Sequence, residues 1–225
     1  MAIANVANTT TTYTFPTASK TINITVSGSN TALFVITNNH TSLGSITGVT
    51  ATKGGTDTAM TMAMSFNNSA NSTTKLWYIA SPDAGSINII ATASASIGIA
   101  MGASLFSGVD QTTPIDATDT ANEVTTTTSF TETMTTTNDN AFVFWGLLAQ
   151  NALALTGGAN TTIGSQPEAS AYGTAFAYST SAITPAGSTS LNVTSSTQPF
   201  TSLMLSIKPF VATTARKRLS LLGVG

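Results

Sequence analysis

Cysteine is absent from this chain and histidine occurs once. The first absence excludes disulfides, thiolate metal sites and a cysteine nucleophile. The second leaves no pair of imidazoles to complete a metal site, and a lone His40 in the polar stretch Asn38 to Thr41 reads as a solvated turn residue. Charge is scarce as well: 7% of the 225 residues are Asp, Glu, Lys or Arg, against about 25% in an ordinary domain. With a formal net charge of −2, the body of the molecule offers nucleic acid no strong field. Long apolar runs are missing too. The most apolar stretch, Ile97 to Phe106, is interrupted by Ser and Gly and falls far short of the roughly 20 residues a membrane span needs. Residues Met1 to Tyr13 lack the basic-then-apolar pattern of a secretory signal. Neither a Gly-Xaa-Ser-Xaa-Gly elbow nor a phosphate-cradling loop is present, so the chain is expected not to be an enzyme and to need no cofactor.

What fills the space is Thr, Ser, Ala, Asn and Gly. Runs such as Thr125 to Thr128 favour extended backbone, because branching at Cβ stiffens χ1 and suits a pleated sheet. From Lys20 to Ser27, Ile22, Ile24 and Val26 alternate with Thr21, Asn23 and Thr25, the period of a half-buried strand. Thr31 to Thr37 is a continuous apolar run, as expected for a strand covered on both faces. Ten further strands are expected: Ser45 to Thr52, Ala59 to Phe66, Thr73 to Ala80, Ser86 to Ala93, Gly98 to Phe106, Val124 to Thr135, Ala141 to Ala149, Ala171 to Tyr178, Ser188 to Val193 and Thr201 to Ile207. Gly, Pro, Asn and Asp clusters punctuate most of them. The pattern predicts an all-β, two-sheet antiparallel β-sandwich of jelly-roll type. Leu147 to Leu155 has room for one helical turn, and Asp110 to Asn122 reads as the long connection between halves. One domain is expected over residues 13 to 210, with extended arms at 1 to 12 and 211 to 225.

Several motifs resemble a β-sandwich module of secreted bacterial and phage structural proteins. They are Ile46-Thr47-Gly48-Val49-Thr50, Ala59-Met60-Thr61, the stretch Lys75-Leu76-Trp77-Tyr78-Ile79-Ala80 leading to Pro82 and Gly85, and Phe106-Ser107-Gly108-Val109-Asp110-Gln111-Thr112-Thr113-Pro114. The likeness covers roughly residues 20 to 210, and Phe142 to Ala149 and Ser202 to Pro209 match the second-half strands. It implies a carrier or adhesive fold without catalytic residues. The ending, with Arg216, Lys217 and Arg218 before Leu219, Leu221, Leu222 and Val224, is similar to the basic-then-apolar tails of small phage virion proteins. An exposed apolar cluster of that kind calls for a neighbouring subunit, so these seven residues are the candidate interface.

Two other features bear weighing. Asp110, Asp116, Asp119 and Glu123 supply oxygen ligands of the kind Ca²⁺ takes, but their spacing fits no known loop, and solvated loop residues are the expectation. Trp77, Tyr78 and Trp145 could stack on sugars, yet each lies in an apolar strand pattern and is expected in sheet packing. The reading is a structural protein of a bacteriophage-like virion, as capsid component, decoration, or tail or fibre subunit, acting by self-association. Its expected partners are copies of itself and other virion proteins, with no membrane and with nucleic acid touched at most by the tail. The alternatives are an extracellular adhesive or carbohydrate-binding module, whose partner is a glycan, and a subunit of a non-viral surface filament.

Overall fold

The computed structural model describes residues 2–10, 12–40, 44–68, 72–119, 122–151, 153–168 and 173–212, save the side chains of His40 and Thr125. Among these the chain forms strands and no helix. The first half carries β1 (Ala4–Asn8), β2 (Thr12–Val26), β3 (Ala32–His40), β4 (Ile46–Lys53), β5 (Thr56–Ala59), β6 (Thr61–Asn67), β7 (Ser72–Ala80) and β8 (Gly85–Ser107). The second carries β9 (Ile115–Thr118), β10 (Asn122–Thr135), β11 (Phe142–Ala149), β12 (Thr156–Gly157), β13 (Thr161–Ser165), β14 (Gly173–Ser179) and β15 (Ser188–Ile207). Two antiparallel sheets result, one from each half, packed against each other as an all-β two-sheet sandwich.

Each sheet also folds over on itself. β2 lies along one edge of β8, and on the other edge β8 meets β4 with residues 88–93 and β3 with residues 98–106. The β2–β8 ribbon loses register between Thr14 and Ser19, and its two ends then enclose one core. Leu33, Val35, Trp77, Ile99 and Met101 pack there against Ile24, Val26, Val49, Ile87 and Ile89. The inner layer is thus β1 with the start of β2, the end of β8, β3, β7 and β6; the outer layer is the end of β2, the start of β8, β4 and β5. Because the chain alternates between layers in this order, the connection is that of a jelly roll.

The second half repeats the plan. β10 pairs along β15, β15 meets β12 with its first residues and β11 with its last, β11 pairs β14, and β14 pairs β13. The irregularities recur at matched places. β1 slips between Asn5 and Ala7, and β9 pairs with the matching slip between Ile115 and Ala117. β6 slips between Met62 and Met64, and β13 between Ile163 and Ser165. At the bend of the long ribbon the Thr17 hydroxyl donates to the Ser19 carbonyl and accepts from its N–H. Thr127 does the same for Ser129, at 2.6 and 3.1 Å. Seven strands of the first half therefore have counterparts in the second; β5 alone has none.

The two rolls meet through their inner layers. Phe34 of β3 and its counterpart Phe144 of β11 approach to 5.7 Å, and a contact between equivalent residues marks a pseudo-twofold axis. Ala32, Ile36, Leu76 and Phe106 join Phe142, Phe176, Leu203 and Leu205 in this central core. A third core lies inside the second roll, around Trp145, Phe130 and Phe200.

Several expectations change. The apolar run Thr31 to Thr37 is indeed covered on both faces, its odd residues by the first roll's core and its even ones by the central core. Asn38, Asn39 and His40 extend β3 instead of forming a turn, since Asn38 Nδ2 donates to Ser72 Oγ (3.1 Å) and Thr74 Oγ1 (3.0 Å) across the ladder. Among the described residues of the segment Leu147 to Leu155 there is no helical turn: Trp145, Leu147 and Ala149 alternate into the core with the period of a strand. The strands expected at Ser86 and Gly98 are one, as are those at Ser188 and Thr201. Asp110 to Asn122 does join the halves, with β9 inside it. Residues 1 to 12, expected as an arm, contain β1, and Ile3 enters the central core.

Candidate functional site

The tail proposed from sequence as the interface, Arg216 to Val224, lies outside the described residues. The acidic residues of the connection have structural partners. Asp110 accepts from the N–H groups of Thr112 (2.9 Å) and Thr113 (2.8 Å) and pairs with Lys208 at 3.7 Å. The Thr113 amide above all, with Thr112 and Lys208, holds its carboxyl below the usual range. Asp116 accepts from Thr137 N (2.8 Å), Ser206 Oγ (2.9 Å) and Asn138 Nδ2. Burial alone pushes its pKa up, but these bonds together bring it below the ordinary value. Asp119 donates its own N–H to the Met204 carbonyl, and Glu123 sits in β10. Among the described residues no three His, Asp or Glu side chains come together, so the four acids are spread along a tied-down crossing.

The aromatic side chains weighed as sugar platforms lie in the cores. Trp145 is fully buried, 5.5 Å from Phe130. Trp77 donates its indole N–H to Thr37 Oγ1 at 2.9 Å, with Lys75 Nζ 5.8 Å above the ring. Tyr78 stacks on Phe34. Among the described residues the large apolar side chains that reach solvent are Val6, Phe15, Met62 and Val211, and three of them lie on strands at the edges of the inner layer of the first roll.

Two ionisable groups that the sequence reading did not single out are buried. Glu132 points into the second roll, taking a bond from Ser202 Oγ at 2.8 Å and one from Asn122 Nδ2 at 3.4 Å. Desolvation raises its pKa against those bonds, and Asp119 adds to the rise. Lys20 donates to Thr14 Oγ1 at 2.6 Å; burial lowers its pKa and Glu168 pushes the other way. Both alternate with apolar neighbours, Glu132 between Phe130 and Met134, and that placement was the available signal.

On each flank the halves are stitched by polar contacts. Tyr178 Oη donates to Asn5 Oδ1 at 3.2 Å on one side, and Asn68 Nδ2 to Thr201 Oγ1 at 3.3 Å on the other. A polar cleft of about 430 Å³ opens at the first flank between Asn8, Thr9, Thr10 and the segment Gly164 to Glu168. No helix among the described residues is long and apolar enough to cross a membrane.

No protein-family model matches the sequence, and no curated protein matches it. Among solved structures, a chain of the one described as "Life in the extremes: atomic structure of Sulfolobus Turreted Icosahedral Virus" is similar with 12% identity and a TM-score of 0.29. The likeness covers 93% of this chain and 61% of that one, so this chain spans less than two thirds of its length. A likeness of that size identifies neither fold nor function.

Proposed function

We propose that this chain is a non-catalytic structural subunit of a bacteriophage-like virion that works by self-association. The observation that carries the reading is the doubled jelly roll: one plan built twice and clasped by a shared core, giving four stacked layers whose interiors are filled by side chains. Jelly rolls recur in capsid proteins, lectins and cupins. A cupin-type centre needs a cluster of histidines, and this chain has one. The indole rings weighed as a glycan platform, Trp77 and Trp145, are buried. The capsid-type use suits a surface rich in hydroxyls and poor in charge, which sets little repulsion between copies.

Light scattering on the purified full-length protein, beside a variant ending at Phe210, tests this. The full chain is expected to form assemblies that shrink when residues 211–225 are removed. A full-length protein that stays monomeric at every concentration and salt overturns self-association.

A further inference from the structure

The duplication supplies an internal control for surface strands. β6 and β13 occupy equivalent places, each ending the inner layer of its roll and pairing on one side with β7 or β14. Among the described residues no strand pairs with the outer edge of either. Their contents differ. β13 reads Thr161-Thr162-Ile163-Gly164-Ser165, and Gln166 beyond it turns back, its side chain bonding both the N–H (2.7 Å) and the carbonyl (2.8 Å) of Leu155. β6 reads Thr61-Met62-Ala63-Met64-Ser65-Phe66-Asn67, without a charge. Met62 is 48% exposed, while Ala63, Met64 and Phe66 are only partly covered against the central core. The core that joins the halves thus runs out to the surface at β6.

Open sheet edges are ordinarily blunted by lysine, proline, short length or a bulge. β6 has seven residues and neither lysine nor proline, and its bulge is shared with β13, so the bulge does not explain the difference. Its outer edge presents a row of N–H and C=O groups that an antiparallel copy of the same strand complements, with no like charges brought together. Of the other edge strands of the first roll, β5 carries Asp57, β2 carries Pro16 and Lys20, and β1 is only five residues long, while β9 and β10 on the second carry Asp116, Glu123 and Glu132. An apolar, uncharged edge continuous with an existing core selects a second copy over a charged peptide.

We infer that β6 pairs antiparallel with β6 of a second copy of this chain across a twofold axis, carrying the inner layer from one molecule into the next and covering Met62, Met64 and Phe66. This rests on the self-association reading and names the strand responsible for one of its contacts. Because the chain has no cysteine, Ser65→Cys places a single thiol on β6 and Thr162→Cys a control on β13. Under mild oxidation Ser65→Cys is expected to give a covalent dimer and Thr162→Cys a monomer. The double variant Met62→Lys with Ser65→Lys is expected to lower the scattering mass at least twofold, the loss of an isologous contact, with an unchanged far-ultraviolet circular dichroism spectrum. Should the lysine variant misfold, the thiol comparison decides. Parent assemblies that persist in the lysine variant, with no preferential crosslink at residue 65, overturn the β6 contact and leave self-association standing. A parent that never assembles overturns both.

Discussion

In the first roll the indole comes from β7, where Trp77 stands across the ladder from Val35; in the second it comes from β11, where Trp145 stands across from Ala177. These are the same cross-strand pair with large and small partners exchanged. The bulk of the pair stays in one indole while the strand that supplies it changes and its small partner goes from Val to Ala, the kind of repacking a close-packed core tolerates. The polar end of the ring fares differently. Trp77 finds the Thr37 hydroxyl across the ladder, whereas Trp145 Nε1, on the opposite strand of the pair, is buried without a hydrogen-bond partner among the described residues. At the pseudo-twofold axis a similar exchange appears: Ile36 faces its own counterpart Gly146, whose missing side chain leaves room for Ile36 Cδ1 and Leu76 Cδ2. The two rolls share one backbone plan, and their cores fill it with side chains placed in compensating ways.

The largest effect should come from emptying the second roll's core. Trp145→Ala is expected to cost about 3–5 kcal/mol, a transfer term plus a cavity, read as a shifted denaturant midpoint at unchanged slope. Giving the second roll the first roll's arrangement, Trp145→Val with Ala177→Trp, should recover most of that loss; a swap as unstable as Trp145→Ala would show that the rolls are not interchangeable. A smaller effect is expected at the axis. A Cβ on Gly146 would come within 2.8 Å of Leu76 Cδ2 and 2.9 Å of Ile36 Cδ1, so Gly146→Ile should cost about 1–3 kcal/mol by overpacking. Adding Ile36→Gly, which exchanges knob and hole, should restore part of it.

The smallest effect has a pH signature. Glu132 occupies the place of Ile22 in the first roll, and its raised pKa means that the folded protein binds its proton more tightly than the unfolded chain does. Stability from this group is therefore greatest below the ordinary value of 4.5 and falls as the pH rises from there through the raised folded value. Glu132→Gln should raise the melting temperature at pH 7 and leave it unaltered below about pH 4. An equal gain at both pH values would assign the effect to packing instead of charge.

Much of the secondary structure was legible. Alternation placed Ile22, Ile24 and Val26 correctly, and the unbroken run Thr31 to Thr37 announced a strand with two covered faces. The short strands β5, β9, β12 and β13 were not, because two to five residues rich in Thr carry no period to read. The duplication left few identical pairs, among them Phe34 with Phe144, Thr74 with Thr174 and Tyr78 with Tyr178. Against a background so rich in Thr and Ala such matches are easily passed over.

For the candidate interface, the sequence pointed to the tail from Arg216 to Val224, outside the described residues, and passed over β6, which it gave only as part of an expected strand from Ala59 to Phe66. Composition, alternation and turn chemistry by themselves determined an all-β chain with a neutral, hydroxyl-rich surface, because side-chain branching and period-2 patterning act locally. Only the tertiary structure decided that the strands close into two rolls, that Phe34 meets Phe144, and that one edge of the shared core stays open. Those facts depend on which distant strands pair and in what register, and a pattern of period two is equally satisfied by many pairings.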